Sequence, residues 1–316
     1  MNTYFSTFIT GLGDVVIPAL EKRLSKFNLK LLLDGLVIYG TKSSDKEIKY
    51  TRFLNNSFFL LKLFDNLKEC SFEKMAEWIL REHSLNKPPL SPKSSTFRIV
   101  FSRENQIVSV NPRLQEKLEN YFSKLFKLQI DRANPDVEIW FLWRNEGYGF
   151  IGVRLTHKPN YEKVLNKGEL RPELAHLLCL ISQPDKDDVF LDPFASFGAI
   201  PFERAISFPY TKIIASDRDK QIFQKLQKRA GDLGLRIILG RYDALNLSSL
   251  TNESVTKIVT DPPWGFYKEE KNTEEFYTKM LEEFVRVLKP DGLIVILTGQ
   301  KELLEKLFEK FSNLKL

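Results

Sequence analysis

Thr260-Asp261-Pro262-Pro263-Trp264-Gly265 directly follows the apolar run Ile258-Val259. That order puts an acid, two prolines and an indole at the carboxyl end of a buried strand, where open α/β sheets bind their ligands. The prolines remove two backbone donors and fix φ, which leaves the carbonyls between them as acceptors. Asp261 adds a side-chain acceptor and Trp264 a stacking face, a set suited to holding a planar amino group. Taken alone, the hexapeptide reads equally well as a tight Pro-Pro turn after a strand. The residues upstream shift the balance.

Val189-Phe190-Leu191 runs into Asp192-Pro193-Phe194-Ala195-Ser196-Phe197-Gly198-Ala199-Ile200, followed by Pro201-Phe202-Glu203-Arg204-Ala205. This reads as a strand, a small-residue turn and a helix with Pro201 at its first position. A second apolar run, Lys212 to Ser216, ends in Asp217. That acid lies about 25 residues after Asp192, near the spacing at which nucleotide-binding folds place a ribose-binding acid. A third run, Arg236 to Gly240, leads to Asp243. Each strand thus delivers a carboxylate to the same rim of one sheet. Singly, each Asp has a structural explanation as a turn or helix-cap residue, but three in register ahead of Asp-Pro-Pro-Trp favour a ligand cleft.

A chain of 316 residues exceeds a typical single domain, so two or three are expected. Cys70 and Cys179 are its two cysteines, too few for a disulfide framework or a metal cluster, and they point to a reducing cytoplasmic setting. No metal is called for. No apolar run approaches the ~20 residues needed to span a bilayer, and the start lacks the order of a signal peptide. A net charge of +6 with pI near 9.0 fits a polyanionic partner, although proteins that bind none share such a balance.

The front of the chain reads as two small α/β modules. Asp14 to Lys26 is an amphipathic helix with Val16, Leu20 and Leu24 on one face, and Leu29 to Leu33 and Gly35 to Tyr39 follow as strands. Ser71 to Glu82 is helical, and Lys87 to Ser95 is a Pro/Ser-rich connector. Phe97 to Phe101 reads as a strand and Asn111 to Leu128 as a helix; Asn134 to Trp143 and Tyr148 to Leu155 form a hairpin across Asn145-Glu146-Gly147. Arg98, Arg103, Lys117, Lys124 and Lys127 are candidates for phosphate contacts, which set affinity without reading sequence. Trp140, Phe141 and Trp143 lie in a strand and are expected to be at least partly core.

The motifs around Asp192 and Asp261 resemble those of class I S-adenosylmethionine methyltransferases that carry a THUMP domain and methylate guanosine N2 in RNA. In that family the first loop reads Asp-Pro-Phe/Met-Cys-Gly-Ser/Thr-Gly-Thr and the later motif Asn/Asp-Pro-Pro-Tyr/Trp-Gly. Leu170 to Ala175 is similar to the helix start before the family's first strand, and Arg286 to Gly292 to its helix-to-strand turn before Leu293 to Leu297. Thr10 to Asp14 and Thr51 to Asn56 resemble the ferredoxin-like module that precedes THUMP, and Asn134 to Ile139 with Gly152 to Leu155 resembles the end of a THUMP domain.

The resemblance implies an α/β chain: a ferredoxin-like α+β domain over 1–65, a THUMP RNA-binding domain over 66–156 and a Rossmann-like methyltransferase domain over 157–316. It implies S-adenosylmethionine as cofactor and structured RNA, tRNA ahead of ribosomal RNA, as partner. Asp192, Phe194, Ala195, Ser196 and Gly198 would surround the donor's methionine part, Asp217 would take the ribose hydroxyls and Asp243 the adenine amine. Asp261 and the Pro262 carbonyl would accept from the target amine while Trp264 stacks on the base.

Two departures stand out. Ser196-Phe197 replaces the family's Gly-Ser/Thr, which removes a glycine that permits close backbone approach. The sequence also stops after a helix at Lys301 to Phe311, without the family's final hairpin. The strand Leu293 to Leu297 is therefore expected at a sheet edge, covered by the last few residues, a partner chain or another copy. Three functional readings stay open: an active RNA guanosine-N2 methyltransferase, a degenerate relative that binds RNA or a partner without catalysis, and a DNA adenine-N6 methyltransferase.

Overall fold

The computed structural model describes residues 1–65, 71–82, 85–88, 90–156, 165–166, 168–264, 273–311 and 314–315. Cys70 and Gly265 lie outside them. The chain divides into two compact units, Met1–Pro159 and Asn160–Leu316.

In the first unit the elements are β1 (Asn2–Thr7), α1 (Gly13–Arg23), β2 (Asn28–Leu33), β3 (Leu36–Thr41), α2 (Asp45–Lys49), β4 (Asn56–Phe64), α3 (Phe72–Glu82), β5 (Thr96–Arg103), β6 (Gln106–Val108), α4 (Pro112–Phe126), β7 (Gln129–Ile130), β8 (Val137–Arg144) and β9 (Tyr148–Arg154). They build one nine-stranded sheet, ordered β2-β3-β1-β4-β9-β8-β5-β6 with β7 beside β5. The expected helices and hairpin form within a few residues of their sequence limits. The strands β1 and β4 are not legible as such in the sequence. Phe58-Phe59-Leu60-Leu61 is apolar without alternation because both of its faces are buried. Phe5 and Phe58 stack across β1 and β4 at 4.5 Å, and the antiparallel pairing of β4 with β9 carries the sheet through both stretches expected to be separate modules.

The second unit contains α5 (Pro172–Ile181), β10 (Val189–Asp192), α6 (Ala199–Ser207), β11 (Lys212–Ser216), α7 (Lys220–Asp232), β12 (Ile238–Gly240), β13 (Val255–Thr260), α8 (Thr273–Val287), β14 (Leu288–Ile296) and α9 (Lys301–Phe308). Its strands are parallel and ordered β12-β11-β10-β13-β14. The chain runs outward from β10 to β12, then returns to β13 on the other side of β10. Strand order therefore reverses between β10 and β13, and a crevice opens there at their carboxyl ends. Leu191, Ile258, Phe284 and Leu304 are buried in the core that fixes these strands.

Two local expectations change. Pro201 sits three residues into α6 rather than at its first position, which the first turn tolerates because its N–H groups have no intrahelical partner. The expected turn at Lys289-Pro290-Asp291-Gly292 is instead a bulge inside β14, with Leu288 opposite Val255 and Leu293 opposite Lys257. β14 lies at the sheet edge. Among the described residues no strand covers its outer side: residues after it form α9, whose Leu304 and Leu307 are buried.

Arg204 is fully buried; it donates to Asp188 Oδ2 at 2.9 Å, to the Pro209 carbonyl at 2.7 Å and to the Asp185 carbonyl at 3.1 Å. Asp188 also accepts from Thr256 of β13. Removing one partner strands the other as a buried charge, so Arg204→Ala is expected to destabilise the protein by about 3–5 kcal/mol, read as a drop in the urea-unfolding midpoint.

Candidate active site

At the β10/β13 switch point the two sequence motifs meet through a buried hydrogen bond, Thr260 Oγ1 donating to Asp192 Oδ1 at 2.7 Å. The same oxygen accepts the Phe194 N–H at 3.2 Å. A cleft of about 600 Å³ opens beside this junction; Asp192, Phe194, Ala195, Ser196, Asp217, Asp261, Pro262 and Trp264 all line it. The structure thus gathers eight of the ten residues singled out in the sequence. Gly198 and Asp243 stand just off the lining. Gly198 caps α6 with φ of +89°, and a Cβ there would meet the Phe202 ring at 2.3 Å. Asp243 accepts from the Leu245 N–H at 3.0 Å and faces Arg218 at 3.8 Å, while its neighbours Tyr242 and Ala244 line the cleft.

The loop after β10 explains how a chain without the expected glycine still turns. Ser196 itself adopts a left-handed conformation, φ +48°, and its N–H donates to Asp217 Oδ2 at 3.2 Å. Arg229 of α7 braces the next residue, donating to the Phe197 carbonyl at 2.7 Å and to Glu169 Oε1 at 2.5 Å. Neither Arg229 nor the cleft-lining Glu169 is signalled by the sequence, because their pairing spans 60 positions.

Burial dominates the electrostatics. It pushes the Asp192 carboxyl up to about 7, against the hydrogen bonds from Thr260 and Phe194 and with help from the charges of Asp261 and Asp217. It pushes Asp261 up to about 6 despite the Trp264 hydrogen bond, and raises Asp217 as well. Three carboxyls raised by burial in one cleft make it the candidate functional site. Trp264 turns its indole Nε1 back onto Asp261 Oδ1 at 3.0 Å and the Leu297 carbonyl at 3.3 Å, while the ring still lines the cleft. Among the described residues no group of His, Cys, Asp and Glu is placed to hold a metal, and no helix is long and apolar enough to cross a membrane.

In the first unit, Arg98 pairs with the buried Glu138, which also holds Arg154 at 2.9 Å. Arg103 lies over the Trp143 ring at 4.2 Å, and Lys117, Lys124 and Lys127 are exposed. Phe141 is fully buried, with Trp140 and Trp143 partly so.

Residues 159–315 match the family described as RMKL-like, methyltransferase domain. Among curated proteins, the tRNA (guanine(6)-N2)-methyltransferase of Thermus thermophilus is 27% identical over 219 residues, covering 67% of this chain and 65% of that protein. The tRNA (guanine(6)-N(2))-methyltransferase THUMP3 of Bos taurus is 28% identical over 252 residues, covering 72% and 49%. The matched stretches thus span from just under half to just under two thirds of these relatives. The crystal structure of TrmN from Thermus thermophilus shares the fold, with a TM-score of 0.77 at 22% identity over 97% of this chain and 92% of that one.

Two outcomes follow from the loop and its acids. A left-handed conformation costs a non-glycine residue roughly 1–2 kcal/mol, so Ser196→Gly is expected to stabilise the protein by up to about that amount, visible as a higher urea midpoint. Asp192 has a folded-state value above its ordinary 3.8, so between about pH 4 and 7 the folded state holds the extra proton. Its stability contribution is full below that window and is lost as pH rises through it. Asp192→Asn should remove most of the decline in thermal midpoint between pH 5 and pH 8.

Proposed function

We propose, for a chain whose residues 159–315 match the RMKL-like methyltransferase-domain family, that it methylates the exocyclic N2 amine of a guanosine in tRNA with S-adenosylmethionine as donor. The observation that carries this reading is the junction of Asp192 with the Thr260-Asp261-Pro262-Pro263-Trp264 loop in one cleft. The curated relatives named above act on tRNA guanine N2 according to their names.

The cleft suits that donor. Its volume of about 600 Å³ falls within the range of roughly 300–1,000 Å³ usual for such ligands, and its carboxylates match a cationic sulfur and a ribose. When bound, S-adenosylmethionine supplies a methyl group on a positively charged sulfur. Asp192, Phe194, Ala195, Ser196 and Gly198 would hold its methionine part, with backbone amides at the start of α6 helping to position its carboxylate. Asp217 would take the ribose hydroxyls and Asp243 the adenine amine.

The guanine amine is a weak nucleophile because its lone pair is delocalised into the ring. Asp261 Oδ2 and the Pro262 carbonyl accept its two N–H groups and stabilise the charge that develops as the new N–C bond forms, an effect that is largest where water is excluded. Asp261 then takes up the proton that the amine sheds. Trp264 stacks on the base once it leaves its helix. The Ser196 conformation supports the active reading over a non-catalytic relative, since the loop keeps its turn without the glycine.

By the same reading, residues 1–65 form a ferredoxin-like module and residues 66–156 a THUMP domain whose cations grip the tRNA backbone, and the protein works in the cytoplasm. A partner chain or second copy covers the β14 edge. Purified protein incubated with tRNA and methyl-labelled donor should yield N2-methylguanosine by nucleoside mass spectrometry, and unlabelled guanosine with label elsewhere or nowhere would reject the reading.

Asp261→Ala is expected to cut turnover by about 10²–10³-fold while calorimetry finds donor affinity nearly unchanged. Ionised Asp261 is the stronger acceptor and the base for the shed proton, so wild-type kcat at saturating donor should rise with pH and level off at or below the value of about 6 that burial sets in the empty cleft, since the donor's positive charge favours the carboxylate. Asp261→Asn, a neutral acceptor, should keep part of the activity and lose that rising limb.

A further inference from the structure

The acceptor loop cannot hold itself. Pro262 and Pro263 have no N–H to donate, and residues 261–264 carry no regular structure, so the direction of their carbonyls must be set from outside. Two side chains do so. Tyr277 of α8, fully buried, donates its hydroxyl to the Pro263 carbonyl at 3.3 Å. Gln300, the N-cap of α9, donates Nε2 to the Trp264 carbonyl at 2.9 Å. The Trp264 indole N–H is shared between Asp261 Oδ1 and the Leu297 carbonyl. Thr298 ties the two supports together: its Oγ1 accepts the Gln300 N–H at 2.9 Å and lies 3.2 Å from the Tyr277 hydroxyl.

These bonds consume the Pro263 and Trp264 carbonyls and one oxygen of Asp261. The Pro262 carbonyl takes none of these donors, and neither does Asp261 Oδ2, and both residues line the cleft. Resting on the proposed function, we propose that Tyr277 and Gln300 are positioning residues for methyl transfer: by fixing the outer half of the loop they leave one carbonyl and one carboxylate oxygen as the pair that orients the target amine. Neither residue touches substrate. Their effect belongs to catalysis at the acceptor and not to donor binding.

The test uses Tyr277→Phe and Gln300→Ala in the whole chain. Each removes one neutral hydrogen bond, so each should lower kcat by about threefold to tenfold, with donor affinity by calorimetry unchanged within about twofold. The indole Nε1–H signal of Trp264, assigned among the four tryptophans by its loss in Trp264→Phe, should shift in both variants. Gln300→Asn, which keeps the amide on a shorter arm, should recover part of the loss. Unchanged kcat in both variants, or a fall in kcat matched by an equal loss of donor affinity, would overturn the assignment. If wild-type protein transfers no methyl, the reading of the site fails; the indole signal then decides separately whether Tyr277 and Gln300 position the loop, an unmoved signal refuting it and a shifted one supporting it.

Discussion

The hydrogen bond from Thr260 to Asp192 joins the two strands between which sheet order reverses. On each side of that reversal the crossover helices cover the sheet, so only at the tips of β10 and β13 can a cleft reach the strands. Placing Thr260 as the last residue of one strand and Asp192 as the last of the other registers the loop after β10 against the loop after β13. The core beneath, with Leu191 and Ile258 paired across the strands, holds that register because a slip by one residue would move every side chain to the opposite face, into the other of the two cores that sandwich the sheet.

This arrangement is electrostatically expensive before any ligand arrives. Asp192, Asp217 and Asp261 all line one cleft, and burial disfavours the charged form of each. The protein tolerates the cost by giving their oxygens protein donors: Thr260 and Phe194 for Asp192, Ser196 and Asp219 for Asp217, Trp264 for Asp261. A cation entering the cleft would restore the ionised forms, so binding energy and proton release are coupled in this site.

Much of this is readable in the residues. Apolar runs ending in Asp192, Asp217 and Asp261 mark strand tips, and the sheet carries each to the same cleft. What escapes the reading has physical causes. β4 is apolar on both faces and gives no period. The bulge at Lys289 to Gly292 follows the same turn chemistry as a true turn, and only the pairing on either side distinguishes them. Arg229 and Glu169 pair across 60 residues, a separation that no local pattern reports. The sequence shows that a glycine permitting close backbone approach is replaced at Ser196, but not that the loop's conformation is held by Asp217 and Arg229, since both partners come from distant positions.

The Pro-Pro dipeptide shows the same division between local and distant control. Its local effect is to remove donors and fix φ, which makes carbonyls available but does not aim them. Aiming requires donors from elsewhere, and here they come from residues 14 and 36 positions away, Tyr277 and Gln300. Both sit on elements whose positions depend on the β13–β14 pairing and on the packing of α8 and α9 over it. The geometry at Asp261 and Pro262 is therefore a property of this whole edge of the sheet, and a substitution that loosens α9 would reach their loop through Gln300.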